Sequence, residues 1–264
     1  MSARDWKEFR APEFIGLDPM KTIAVLPVAA IEQHGPHLPV GTDTIINEGN
    51  LALLKQRAPA DMDIRILPVQ AVGKSNEHLW AAGTITLSAE TALRAWTEIG
   101  LSVARAGIRK LVIMNSHGGN ADLISIVSRE LRVQAGMFCV RLGWGATGGP
   151  QGLYSEQERT YGIHGGDSET SQVLNFAPNC VEMSLAEDFR SSAETSLFSP
   201  IGPVAYGWTA ADCNPKGVVG EAHLATAEKG ATHAETVVDG MIALLRKVEA
   251  QSLDGFAPAM APGL

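Results

Sequence analysis

Apolar residues along this chain fall into short unbroken runs, separated by longer stretches in which they recur every three to four positions. The unbroken runs cover residues 22–30, 64–69, 110–115 and 137–143. Each is apolar almost throughout instead of alternating, the pattern of a strand covered on both faces. Between them, residues 44–57, 88–106 and 121–135 carry helical spacing. Ser88 stands where a helix N-cap is expected, with Glu90 in the first turn, and Gly107 and Gly136 stand where helix C-termini favour a residue tolerant of positive φ. Strands alternating with helices predict an α/β fold, three layers in the order α/β/α around a mostly parallel central sheet.

After residue 143 the chain turns loop-rich, recovers a short helical pattern over 167–176, and loosens again over 178–221 before a long terminal helical stretch, 224–248. No internal repeat or low-complexity linker interrupts it, so residues 1–264 read as a single domain, with 255–264 as a frayed tail.

Composition narrows the chemistry. Of 264 residues, 45% are hydrophobic and 19% charged, ordinary for a soluble globular protein long enough to bury a sizeable core. A net charge of -8 without any Lys/Arg cluster argues against nucleic acid as a partner. The three cysteines, Cys139, Cys180 and Cys213, are odd in number and lack Cys-x-x-Cys spacing, which argues against a disulfide framework or a zinc knuckle. Neither a signal-peptide core nor a membrane-length apolar run is visible, so a cytoplasmic location and no membrane partner are expected.

The polar exceptions cluster where the predicted strands end. Glu32-Gln-His34-Gly-Pro-His37-Leu-Pro-Val-Gly-Thr-Asp43 follows the first apolar run. Glu32 and His34, two residues apart, reach the same side of an extended chain, while the glycines and prolines turn the segment so that Asp43 can return toward them. Mixed oxygen and imidazole ligands suit zinc, manganese or iron better than calcium or magnesium. His117, in Asn115-Ser-His117-Gly-Gly-Asn120, also lies at a strand's carboxyl end, where ligands of such sheets bind. A third segment, His164-Gly-Gly-Asp167-Ser-Glu169-Thr-Ser171, places Glu169 in the first turns of a helix. Taken alone, this third segment reads more simply as acidic residues complementing a helix N-terminus.

Together these segments resemble the creatininase family of metal-dependent amidohydrolases. The resemblance extends to Gly73-Lys-Ser75-Asn-Glu77-His78, Gly83-Thr-Ile-Thr-Leu87, Gly217-Val-Val-Gly220 and Ala225-Thr-Ala-Glu-Lys-Gly230, and so spans nearly the whole chain. It implies two divalent ions per chain held by Glu32, His34, Asp43, His117 and Glu169, with Asp43 bridging; zinc comes first, with manganese or iron as alternatives. It also implies a metal-bridging hydroxide attacking an amide carbonyl so that the carbon–nitrogen bond breaks, with His164 stabilising the tetrahedral intermediate or protonating the leaving nitrogen. Glu169 is thus assigned to both metal and catalysis. Ser75, Glu77 and His78, with Gly118 and Gly119, are expected to line the substrate pocket or, for the loop residues, to bridge subunits or to serve the structure of the loop itself. His37 is expected to orient a ligand or a neighbouring backbone, and His223 and His233 to be surface or packing residues. The assembly implied is a homo-oligomer, a hexamer.

Departures from the family pattern redirect the substrate. Members that open creatinine carry a glutamate ligand where this chain has Gly119, an aromatic where it has Gly118, and an acidic residue where it has Ile163. An isoleucine cannot hydrogen-bond a guanidine-like ring. The expected substrate is therefore another small amide, lactam or formamide, or a small peptide. Creatinine itself and a non-catalytic metal-binding role are the alternatives. A scaffold would be expected to lose ligands, and all five are present. Two rivals fail on local grounds. Gly143-Trp-Gly145-Ala-Thr-Gly148 matches a dinucleotide fingerprint, but Gly149-Pro150 replaces the helix it needs, and no Gly-x-Ser-x-Gly elbow supports a serine hydrolase.

Overall fold

In a computed structural model that describes residues 3–259, five parallel strands build the central sheet. They are β1 (Ala3–Asp5), β2 (Ile23–Val28), β3 (Ile64–Ile66), β4 (Lys110–Asn115) and β5 (Phe138–Gly143), in the spatial order β1-β3-β2-β4-β5. The central pair runs in register from Ile23 opposite Lys110 to Val28 opposite Asn115. Both strands are buried along their full length, which is why they read as unbroken apolar runs.

Alternate residues feed two cores. Ala24, Leu26, Leu111 and Ile113 face Trp96 and Val103 of α2 (Ala89–Arg105) and Val127 and Leu131 of α3 (Ala121–Ala135). Ile23, Val25, Val112 and Met114 face Leu51 and Leu54 of α1 (Thr42–Arg57) and Val237, Met241 and Leu245 of the terminal helix (Ala227–Ala250). This period of two places one helical layer on each side of the sheet, giving the expected α/β/α arrangement.

Several bounds differ from the sequence expectation, each for a local reason. β1 falls in a polar stretch, Ala-Arg-Asp, that carries no strand signal, yet its backbone pairs with β3 along the sheet edge. β3 stops at Ile66, and Pro68, which lacks an N–H, follows one residue after Leu67. The terminal helix starts at Ala227, not 224, because the Thr226 side chain caps it by accepting from Lys229 N at 3.2 Å. Within 178–221, read as loop, Asp188–Phe189 and Gly220–Glu221 pair as a short antiparallel ribbon. Of the segment expected to fray, Phe256 packs edge-on against Phe138, while residues 260–264 lie outside the described residues.

Two further helices, α4 (Glu156–Tyr161) and α5 (Asp167–Phe176), flank the turn that carries His164. Glu158, 3% exposed, clamps this region: its carboxylate accepts from Ser168 N at 3.1 Å and Glu221 N at 2.8 Å. Gly166 and Gly220 make room for it, since a Cβ on either would lie 2.4 Å or 2.6 Å from a carboxylate oxygen. Glu158→Ala leaves two amide donors without their acceptor, so a loss of about 2–4 kcal/mol is expected. A thermal midpoint equal to that of the parent would contradict this clamp.

Candidate metal centre

The fold delivers its acidic and imidazole side chains to one place. The chain leaving β2 carries Glu32 and His34, and the chain leaving β4, its neighbour in the sheet, carries His117. Asp43 is the second residue of α1 and Glu169 the third of α5. Carboxylates at helix N-termini are favoured there by the helix dipole, which lets two separate helices each present one to the same crevice.

His34 Nε2 lies 3.9 Å from Glu32 Oε1, 3.8 Å from Asp43 Oδ1 and 3.6 Å from Glu169 Oε2. His117 Nδ1 lies 3.2 Å from Glu32 Oε2 and 3.4 Å from Asp43 Oδ2. Asp43 therefore turns one oxygen toward each imidazole. His164 Nδ1 stands 3.5 Å from Glu32 Oε1, and its ring lies over those of His34 and His78 with centroids 4.1 Å and 4.3 Å away. Three sets of potential ligand atoms, each within 4.8 Å, emerge among the described residues: Glu32, Glu77 and His117; His34, Asp43 and Glu169; and Glu32, His34 and His164.

Supports hold these groups in place. The His34 Nδ1–H donates to the Glu32 carbonyl at 3.1 Å, freeing Nε2 for the crevice. The His117 Nε2–H donates to the Lys74 carbonyl at 2.9 Å, freeing Nδ1. Asn115 grips the His117 backbone on both sides, its Oδ1 accepting from His117 N at 3.1 Å and its Nδ2 donating to His117 O at 2.5 Å. Gly165 N donates to Glu169 Oε2 at 2.6 Å. The tautomers are assigned from these partners.

Electrostatics describe a cluster built for cations. Burial disfavours ionised Glu32, but His117, then His164 and His34, hold its carboxyl well below the usual range. Burial, reinforced by Glu32, raises Asp43 well above its ordinary value, and burial also raises Glu169. Burial lowers His34, and it lowers His164 to about 4. Burial works the same way on His117, yet Glu32, followed by Asp43 and Glu77, overrides it and lifts the imidazole to about 10. Without an ion the cluster thus retains protons at neutral pH, on Asp43 and His117 first. A divalent ion must displace them, so uptake should release protons and apparent affinity should rise with pH until His117 loses its proton at about 10. Calorimetry in two buffers of different ionisation enthalpy checks this. A binding heat that is the same in both buffers would contradict it.

Not every pocket expectation matches the geometry. Glu77, His78, Gly118 and Gly119 line a cleft of about 710 Å³ together with Glu32, His117 and His164. Ser75 is not in that lining: it is fully buried, and its hydroxyl donates to Glu32 Oε2, which orients that carboxylate. His37 is buried beside the centre, with Nε2 2.9 Å from Thr170 Oγ1 on α5, one residue beyond Glu169. His233 is buried against Tyr154 and Ser168, and His223 is exposed.

Gln33 is the residue that sequence reasoning passed over. Its amide nitrogen donates to His78 Nδ1 at 2.7 Å and to the Gly217 carbonyl at 2.6 Å, and its Oε1 accepts from Gly35 N at 2.9 Å. It locks three loops around the site. The signal was its place between Glu32 and His34, two residues that face the crevice.

The donor set fits divalent metal. Among the described residues, His34 Nε2 and Asp43 Oδ2 are buried without a hydrogen-bond partner, a costly state unless something else meets their lone pairs. A doubly wound parallel sheet with carboxylates and imidazoles converging at its carboxyl edge is the setting of a metal-binding crevice. Sequence comparison names the family: a profile described as creatininase, creatinine amidohydrolase, matches residues 7–245, and the chain belongs to that family. A mycofactocin precursor peptide peptidase of Mycobacterium ulcerans (strain Agy99) is 31% identical over 233 residues, 84% of each chain. The creatinine amidohydrolase of Pseudomonas putida is 29% identical over 260 residues, 92% of this chain and 94% of that one. A manganese creatininase structure matches the fold with a TM-score of 0.73 at 24% identity, covering 93% of this chain and 98% of the other. The protein is accordingly a metal-dependent amidohydrolase of the creatininase family.

Proposed function

We propose that this chain uses two divalent ions to hydrolyse a carbon–nitrogen bond in a small amide, lactam or formamide. The observation that carries the reading is the meeting of Glu32, His34, Asp43, His117 and Glu169 around two orphaned buried atoms. In this reading Glu32, Asp43 and His117 hold one ion, and His34, Asp43 and Glu169 the other. When bound, the ions supply the Lewis acidity that activates water and polarises the scissile carbonyl. Zinc is the first candidate, with manganese or iron as alternatives, because the donor set is mixed oxygen and nitrogen.

The protein's own groups handle the proton. His164 Nε2–H donates to the Gln33 carbonyl at 2.8 Å, which leaves Nδ1 as a lone pair facing Glu32 and the cleft. Neutral His164 is thus set to accept the proton released as water attacks and to return it to the leaving nitrogen. The Gly118-Gly119 floor brings backbone close to the substrate, and Ile163 offers an apolar wall beside His164. That wall disfavours creatinine, whose polar ring it cannot hydrogen-bond.

A short peptide is the second reading. The cleft, bounded by residues 200–202 and 205–208 on one side, exceeds the volume of a small lactam, and one relative is described as a peptidase of a precursor peptide. The reading further takes residues 1–264 as one domain, working as a cytoplasmic homo-oligomer, a hexamer, without nucleic-acid or membrane partners. No helix among the described residues is long and apolar enough to cross a membrane.

A screen of small amides, lactams, formamides and short peptides, run with metal-loaded and chelator-treated protein, tests the proposal. Turnover lost on chelation and restored by added metal is expected. Full turnover by protein shown to be metal-free would contradict it.

A further inference from the structure

The carboxylate of Glu77 reaches the acidic and imidazole cluster from a one-turn 3-10 helix, Asn76–His78, in the connection between β3 and α2. Glu77 Oε1 lies 3.6 Å from His117 Nε2, and its side chain is 12% exposed. With Glu32 and His117 it forms one of the ligand sets whose atoms all fall within 4.8 Å. Its two oxygens are differently engaged: Oε2 faces Lys74 Nζ at 3.4 Å, whereas Oε1 lies against the His117 ring. His117 Nε2 already has the Lys74 carbonyl as acceptor at 2.9 Å, so Glu77 is not needed to hold that ring.

Gly119 explains how the carboxylate gets there. A Cβ at position 119 would lie 2.3 Å from Glu77 Oε1, 2.5 Å from His117 Nε2 and 2.6 Å from the Lys74 carbonyl. Any side chain at 119 would occupy the space that Glu77 fills. The loop is pinned in that position at three points: Lys74 N donates to Asn120 Oδ1 at 3.0 Å, Ser75 N donates to Thr86 Oγ1 at 2.7 Å, and the Ser75 hydroxyl donates to Glu32.

We infer that Glu77 is a metal ligand, completing the ion site of Glu32 and His117 from the position that Gly119 leaves open. This rests on the two-ion reading above. Charge supports it: with Glu77, four carboxylates from Glu32, Asp43, Glu77 and Glu169 balance two dications in a buried site, where uncompensated charge is costly. A carboxylate in direct contact with an ion contributes more to affinity than one that only orients a ligand, for which losses of about 10–100-fold are typical.

The test is the uptake of Mn²⁺ alone by chelator-stripped protein, read by titration calorimetry and by elemental analysis after gel filtration. The parent is expected to bind two ions. Glu77→Gln should keep one at parental affinity and weaken the other by roughly 100-fold or more, with the thermal midpoint of the stripped protein unchanged as evidence of folding. Two ions at parental affinity in Glu77→Gln would overturn the assignment. If the parent itself binds no ion, the proposed function fails as well; if only the Glu77 variants behave like the parent, the function stands and the ligand assignment alone falls.

Discussion

Asp43→Ala is expected to empty both ion sites and take hydrolysis down to the uncatalysed background. Its two oxygens lie 3.8 Å from His34 Nε2 and 3.4 Å from His117 Nδ1, so a single carboxylate serves both halves of the centre. Removing it deletes one ligand from each sphere, whereas removing Glu169 or Glu32 deletes a ligand from one. Asp43 is also 1% exposed, at the start of α1, with burial and the neighbouring Glu32 opposing its ionisation in the ion-free protein. A carboxylate placed where its charge is disfavoured is stabilised by whatever cation it binds. Asp43→Asn isolates the charge: it preserves the volume, and two ions per chain in that variant would remove the bridging role. Elemental analysis beside a turnover assay reads both effects.

His164→Ala should separate chemistry from metal. Its Nε2–H is committed to the Gln33 carbonyl, and Nδ1 is left facing the crevice, the arrangement of a group that moves a proton. Turnover is expected to fall about 10²–10⁴-fold with two ions retained. Loss of one ion instead would point to the alternative grouping, in which His164 joins Glu32 and His34 as a ligand. Unchanged turnover would remove it from catalysis altogether. Gln33→Ala offers a graded comparison, because it unties His78 and Gly217 from the centre without touching a proposed ligand.

The parts of this molecule that were legible in sequence are those fixed by local or one-dimensional constraints. β4 and α3 begin and end where the apolar pattern changes period, because a doubly covered strand and an amphipathic helix each write their burial directly into residue order. Glu32, His34 and Asp43 were visible because one turn gathers them. β1 was invisible because a parallel edge strand needs only backbone partners, and Ala3–Asp5 has them in β3. Gln33 was passed over, and the contacts of Ser75 and Glu77 were not legible, for a different reason. Their roles depend on loops 40 or more residues apart in sequence being pressed together, as Ser75 is onto Glu32 and Glu77 onto His117. No spacing rule records such a contact. The glycine at 119 was read as a lost ligand from the chain alone, and the structure turns it into the opening through which another carboxylate arrives.

The central claim is that this crevice holds a pair of ions, and anomalous diffraction from metal-loaded crystals tests it most directly. The account predicts two peaks per chain, one beside Glu32 and His117 and one beside His34 and Glu169, with Asp43 touching both. A single peak, or none within reach of Asp43 in fully loaded and active protein, would contradict it.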